Sequence, residues 1–116
     1  MGRAVPTIKV LREARKLVAD EKTWCRGTLA RDAHGTPCAM LDAAAKCYCA
    51  SGAIGFACMR CGVDAHIDRD PLFIALSKLS RSMFGEQFLH RVNDNYGRLA
   101  ALSVIDAAIA ELGETP

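Results

Sequence analysis

The chain has no long apolar stretch and no dense block of charge of one sign. No segment approaches about 18 uninterrupted apolar residues, and the first residues contain one arginine but no apolar core typical of a secretory signal. Its 15 lysines and arginines are interspersed with 13 aspartates and glutamates. We therefore expect a cytoplasmic protein that does not span a membrane and does not bind nucleic acid, since nucleic-acid binders usually cluster positive charge.

What is present indicates one globular domain. The chain has 116 residues, of which 51% are hydrophobic and 24% charged, and it contains no internal repeat. We expect residues 1–116 to form a single helical domain around one core. Its six cysteines are many for this length. In a cytoplasmic protein they should be reduced, and we expect most of them to pack as small apolar side chains.

Apolar periodicity predicts helices. A helical pattern runs through residues 7–22, 70–84 and 98–112. Asp70 followed by Pro71 is a strong start signal, because aspartate caps a helix and proline fits its first position. These three segments provide most of the predicted fold.

A fourth helix is expected in the alanine-rich residues 40–61, where Gly52 and Gly55 predict either a break or the close approach of another segment. Residues 84–91 fit either a helical turn or a short strand. The predicted fold class is therefore mainly all-α: a compact single-core bundle of about four helices, with one short hairpin at most.

Two residues lie at the centres of apolar stripes. Leu76 and Ile105 occupy these positions in the third and fourth helices, so we expect both in the core. The stripe of the last helix is predicted to begin at Leu99.

The candidate binding residues are polar or aromatic side chains at loops and element ends. They are Trp24, Arg31, Asp32, His34, Asn93 and Asp94. Residues 31–37 predict an exposed loop, and an indole just past a helix end usually donates its N–H to a carbonyl. Asn93 and Asp94 are placed in a turn before the last helix, where helix capping is the favoured role. We expect Trp24, Cys49 and this turn to meet in space.

The cysteines suggest zinc as an alternative. Cys58 and Cys61 form a C-x-x-C-G pattern, in which two thiolates can converge on one metal ion. A closed zinc site needs four ligands, and the further candidates Cys47, Cys49 and His66 do not follow standard spacing. We therefore expect no cofactor, with zinc as the alternative.

Thiol catalysis is a second alternative use of the cysteines. Cys25 or Cys49 would need a base and an orienting group. The residues of suitable type are His34, His66, His90, Asn93 and Asp94. Because burial in apolar surroundings raises the pKa of a thiol, packing is the expected role, and we assign no catalytic residue.

Four short patterns together resemble an uncharacterised family of small proteins from phages, prophages and actinobacteria. The patterns are Trp24-Cys25-Arg26-Gly27, Ala30-Arg31-Asp32-Ala33-His34-Gly35, Cys49-Ala50-Ser51-Gly52-Ala53-Ile54 and Asn93-Asp94. The resemblance implies a phage or mobile-element setting and a domain of unknown function, without a reaction. Our hypothesis is a non-enzymatic accessory protein that binds a protein partner; the alternative is a zinc-binding or thiol-dependent domain.

Overall fold

The computed structural model describes residues 4–62 and 71–113, with the side chains of residues 4–6 excepted. Its elements in chain order are α1 (Ala4–Ala19), a 3-10 turn (Glu21–Thr23), β1 (Ala30–Asp32), β2 (Pro37–Cys38), β3 (Ala45–Tyr48), α2 (Ala50–Arg60), α3 (Pro71–Phe84), α4 (Leu89–Tyr96) and α5 (Arg98–Gly113). The mainly helical fold class predicted from the sequence is confirmed. Within the described ranges, no helix is long and apolar enough to cross a membrane.

The centre of the core lies between α1 and its neighbours. Helix α1 packs on both α2 and α5, and α5 also contacts α3 and α4. Val10 and Leu11 of α1 are fully buried, as are Val104 and Ile105 of α5. Leu76 is 3% exposed and Ile105 is 0% exposed, so both predicted core positions are confirmed. Apolar burial over several helix pairs holds this half of the molecule together.

The predicted start of the α5 stripe is wrong. Leu99 is 68% exposed, and the buried residues of the helix are Ala101, Val104, Ile105 and Ala108. Because α5 is apolar on nearly all sides, periodicity alone does not determine which of its faces is buried.

The helix expected over residues 40–61 begins only at Ala50, and a strand precedes it. The sheet has the order β2-β1-β3 with both pairings antiparallel, so β1 bonds to a strand on each side. Upstream of β3, the Asp42 carboxylate accepts the N–H of Ala44 at 2.9 Å, which fixes a turn. The hairpin therefore lies at β1–β2, and not near residues 84–91.

A fifth helix occupies the region predicted as a turn before the last helix. Asn93 and Asp94 lie within α4, which ends at Tyr96. Gly85 ends α3 with a φ of 72°, and Gly97 separates α4 from α5 with a φ of 97°. Glycine adopts this left-handed region at little cost, so the chain turns at Gly85 and again at Gly97. The segment between these two glycines forms the separate helix α4.

Candidate functional site

The buried side chain of Asn93 joins three segments of the chain. Its Oδ1 accepts the indole N–H of Trp24 at 2.6 Å and the backbone N–H of Ala50 at 3.0 Å. Its Nδ2 donates to the carbonyl of Cys25 at 3.2 Å and to Asp94 Oδ1 at 3.1 Å. An amide group has two donor hydrogens and two acceptor lone pairs, so all its capacity is used within the protein. We call Trp24, Cys25, Ala50, Asn93 and Asp94 the Asn93 network.

Asp94 extends this network to the loop after Trp24. Its Oδ1 accepts the backbone N–H of Gly27 at 2.9 Å, and Gly27 has a φ of 87°. The guanidinium of Arg26 lies over the Trp24 ring, 5.5 Å from its centroid. The predicted role of Asn93 and Asp94 as caps of the last helix is therefore wrong. They lie inside α4, and their side chains bind the loop of residues 24–27.

Cys49 starts α2 beside this network. It is the N-cap residue, and its sulphur accepts the backbone N–H of Gly52 at 3.3 Å. Its own N–H donates to the carbonyl of Leu29 at 3.1 Å. A Cβ atom at Gly52 would lie 2.0 Å from that carbonyl oxygen, so the close approach predicted for the small-residue run is confirmed. Burial raises the pKa of the Cys49 thiol, which favours its neutral form.

The predicted meeting of Trp24, Cys49 and the Asn93–Asp94 pair is confirmed. Trp24 bonds to Asn93, and Asn93 bonds to Ala50, the residue directly after Cys49. Trp24 also pairs with Tyr48 in a parallel bridge at the free edge of β3. The indole N–H binds a side-chain carbonyl, as expected for a tryptophan past a helix end. The role of these contacts within the fold is structural, and their role as a binding site stays a prediction.

The other candidate binding residues lie on the β1–β2 hairpin. The guanidinium of Arg31 donates to the carbonyls of Gly35 and Arg26, each at 3.0 Å. One carboxylate oxygen of Asp32 accepts the backbone N–H groups of His34 at 2.9 Å and Thr36 at 3.0 Å. His34 itself is exposed. The charged side chains thus hold the hairpin in shape, and the histidine is left at its tip.

The candidate zinc ligands lie at the two ends of α2. Cys47 and Cys49 precede the helix, whereas Cys58 is in its last turn and Cys61 is its C-cap residue. At about 1.5 Å of rise per residue, Cys49 and Cys58 are separated by roughly 13 Å along the axis. Among residues 4–62 and 71–113, no group of three or more His, Cys, Asp or Glu side chains could hold a metal ion. His66 lies outside the described residues.

The candidate nucleophiles are poorly ionised. Burial, followed by a hydrogen bond with the neighbouring Cys47 thiol, raises the pKa of Cys25 to about 12. The thiolate is the nucleophile, so a raised pKa works against attack at neutral pH. Of the two described histidines considered as bases for these thiols, His34 lies at the exposed hairpin tip. The ring of the other, His90, stacks on Phe88. These features favour packing as the role of Cys25 and Cys49.

Sequence reasoning missed the central role of Asn93 and the contributions of Cys25 and Ala50. Residues 93–97 read as a turn because asparagine, aspartate and glycine are typical turn formers. One signal could have identified Asn93. The indole N–H of Trp24 needs a hydrogen-bond acceptor, and the side-chain oxygen of a distant asparagine can provide one.

Comparison with known protein families identifies a match over most of the chain. A family model described as "Family of unknown function (DUF6197)" covers residues 2–111. No curated protein and no solved structure matches the chain.

Proposed function

Because the chain belongs to this family of unknown function, which brings no reaction or ligand with it, we propose a function from the arrangement of its surface. The protein is a small, non-enzymatic, protein-binding module that presents the tip of the β1–β2 hairpin, residues 33–36, to a protein partner. We propose a cytoplasmic setting linked to a phage or mobile element, which rests on the sequence patterns alone.

The rigidity of the exposed hairpin carries this proposal. Residues 33–36 are all exposed, yet Arg31 and Asp32 on the flanking strand form four hydrogen bonds to backbone groups of the hairpin and its neighbouring loop. A loop already held in one conformation loses less entropy when it binds. Loops positioned by a rigid scaffold are also where binding residues concentrate.

The Asn93 network is connected to the hairpin through the loop of residues 24–27. Arg31 bonds to the carbonyl of Arg26, and the next residue, Gly27, donates to Asp94. The loop of residues 24–27 therefore lies between the buried asparagine and the exposed tip. In this arrangement the residues of the network are positioning residues, and the partner contacts the hairpin.

Photo-crosslinking of the protein to its partner, in living cells that carry its gene, tests the proposal. A photoreactive residue replaces Ala33 at the tip, and a matched control replaces Lys78 on α3, which is also exposed. We expect one defined protein adduct from position 33 and none from position 78. The identified partner is then purified for binding measurements with the full chain.

The binding measurements compare three variants with the parent protein. Ala33→Arg should weaken binding by at least about tenfold, or roughly 1.4 kcal/mol. Asp32→Ala should weaken it through loss of the preformed loop, with retained melting temperature, and Lys78→Ala should leave it unchanged. Equal adducts from both positions, absence of any adduct from position 33, or an unchanged Kd for Ala33→Arg would contradict the proposal.

A further inference from the structure

Two arginines near the sheet lie over aromatic rings. The guanidinium carbon of Arg26 is 5.5 Å from the centroid of the Trp24 ring. That of Arg60, in the last turn of α2, is 5.8 Å from the centroid of the Phe56 ring. A cation above the face of an aromatic ring is attracted by the ring's electrons, so this contact restrains both side chains.

A third ring lies between these two pairs. Tyr48, at the end of β3, stacks on Phe56 with the ring centroids 4.9 Å apart. Tyr48 also pairs with Trp24 in the parallel bridge, and bridged chains lie about 5 Å apart. Trp24 and Phe56 are half-buried, and Tyr48 is buried. Three neighbouring aromatic residues thus lie between two exposed arginines, and we call these five residues the aromatic row.

The two guanidinium groups are held in place but keep their hydrogen-bond donors. The guanidinium of neither arginine forms a hydrogen bond or an ion pair with a residue that the structure describes. A Cβ atom at Gly97 would lie 3.2 Å from Nη2 of Arg26, so this side chain lies against the junction of α4 and α5. A guanidinium has five N–H donors in a planar fork, and stacking on a ring leaves them accessible.

The surrounding charge is positive. Residues 24–60 contain four cationic side chains and two carboxylates, namely Arg26, Arg31, Lys46 and Arg60 with Asp32 and Asp42. Both carboxylates accept backbone N–H groups of their own turns. The nearby Asp94 likewise accepts the N–H of Gly27. None of the four cations forms an ion pair within the described part of the chain, whereas Lys78 on α3 pairs with Glu111.

We propose that the aromatic row is a docking surface for an acidic segment of a protein partner, whose carboxylates bind Arg26 and Arg60. Guanidinium groups bind carboxylates through paired hydrogen bonds. A side chain that is already restrained by a ring loses less freedom on binding. An extended octapeptide spans up to roughly 26 Å, which is long enough to reach from one arginine to the other past three neighbouring rings.

The row adjoins the hairpin that we propose as the partner-binding element. The carbonyl of Arg26 accepts a hydrogen bond from Arg31, and the same guanidinium holds the carbonyl of Gly35 in the hairpin. One partner can therefore contact both surfaces. The inference rests on the proposed function and gives the partner its chemistry, which is an acidic segment beside the hairpin contact.

Titration of the full chain with a defined peptide tests the inference. The probe is octaglutamate with blocked ends, and octaglutamine is its uncharged control. Trp24 is the single tryptophan, so its fluorescence reports on one end of the row. We expect saturable changes in this fluorescence and in the side-chain Nε–H resonances of Arg26 and Arg60 with octaglutamate, and no change with octaglutamine. Absence of saturable binding by the parent protein would overturn the proposal.

Three variants show whether the row or overall charge binds the peptide. Arg26→Gln and Arg60→Gln should each raise the Kd by at least about threefold, the scale of an exposed ion pair. Arg81→Gln is the matched control, because Arg81 is an exposed arginine on α3, and it should leave the Kd unchanged. An equal loss of affinity in Arg81→Gln, or tighter binding of a thymidine octanucleotide than of octaglutamate, would overturn the proposal.

The crosslinking and peptide experiments fail separately. A protein adduct from position 33 without octaglutamate binding would overturn the acidic docking surface and leave the hairpin contact in place. Octaglutamate binding that depends on Arg26 and Arg60, without an adduct from position 33, would support the docking surface and overturn the hairpin contact.

Discussion

Two regions of this protein are stabilised in different ways. The helical half is the packing of α1 and α5 with their neighbours, and the sheet side is the region around the three strands and Asn93. In the helical half, α1 and α5 bury apolar side chains such as Val10, Leu11 and Val104 against each other and their neighbours. On the sheet side, one asparagine side chain connects α4, the start of α2 and the loop after Trp24. One apolar core runs through both regions and includes Ala30 and Tyr48 of the sheet. The sheet side differs because a buried hydrogen-bond network is added to that core.

This difference predicts different responses to mutation. Loss of an apolar contact leaves a cavity whose cost depends on how far its neighbours relax. Loss of a buried hydrogen-bonding side chain leaves its former partners without hydrogen bonds in a region closed to water. A polar residue of the sheet side should thus be at least as sensitive as a large apolar residue of the helical core.

The largest expected effect is that of Asn93→Ala. The substitution leaves the indole N–H of Trp24, the N–H of Ala50 and the carbonyl of Cys25 without their partner. At about 1–3 kcal/mol for each of these three unsatisfied groups, the free energy of unfolding should fall by roughly 3–9 kcal/mol in denaturant titration. The matched control is Asn95→Ala, since Asn95 is exposed on the same helix and bonds only at the surface to Glu86. Equal destabilisation by both variants would contradict a special role for Asn93.

Leu76→Ala and Ile105→Ala should come next. Both side chains are buried in the helical half, and truncation should cost about 2–5 kcal/mol through lost burial and the cavity left behind. Leu99→Ala is the control, because Leu99 is 68% exposed and its loss should cost less than about 0.5 kcal/mol. If Leu99→Ala were the most damaging of the three, the register of α5 described above would be wrong.

Gly52→Ala should have a smaller but clear effect. The added Cβ would lie 2.0 Å from the Leu29 carbonyl oxygen, so α2 or the loop must shift, at a cost of about 1–3 kcal/mol. At Gly55 the corresponding neighbour is the flexible end of Met40 at 2.5 Å, and Gly55→Ala should be tolerated better. Thermal melting of the two variants checks the order, and a more stable Gly52→Ala protein would contradict the close approach.

The smallest effect is expected from Ser80→Ala, and it should be stabilising. Ser80 is fully buried on α3, and its hydroxyl has no hydrogen-bond partner among the described residues. Removing an unsatisfied hydroxyl should raise the free energy of unfolding by up to about 1 kcal/mol. Ser103→Ala removes a hydroxyl that bonds to the carbonyl of Ala100 at 2.6 Å, so it should be neutral or destabilising instead. A loss of stability in Ser80→Ala would show that its hydroxyl is satisfied.

The helical half was the part that sequence reasoning could predict. Periodic apolar residues predict α3 and α5, and Pro71 and Gly85 mark the two ends of α3, because such signals act within a few residues. The cap predicted at Asp70 lies outside the described residues. The strand at Ala45–Tyr48 has no β-branched residue and follows an alanine-rich segment, so its local composition favours a helix. It is a strand because it pairs with β1, which is a contact between distant parts of the chain.

The same limit applies to the candidate site. The sequence patterns predicted that Trp24, Cys49 and the Asn93–Asp94 pair would meet, and they do. They did not predict which atoms bond, since residues 93–97 have the composition of a turn and become helical only between two glycine breaks. Polar networks depend on exact three-dimensional placement, which periodicity does not encode.

The hydrogen bond from the indole N–H of Trp24 to Asn93 Oδ1 connects the loop after Trp24 to α4. The chain has a single tryptophan, so its indole gives one resonance in a nitrogen–proton NMR spectrum. Hydrogen exchange of this resonance tests this hydrogen bond directly. We predict slow exchange in the parent protein and in Asn95→Ala, and fast exchange in Asn93→Ala under conditions where that variant stays folded. Exchange in the folded parent protein at the rate of a solvent-exposed indole would contradict this hydrogen bond.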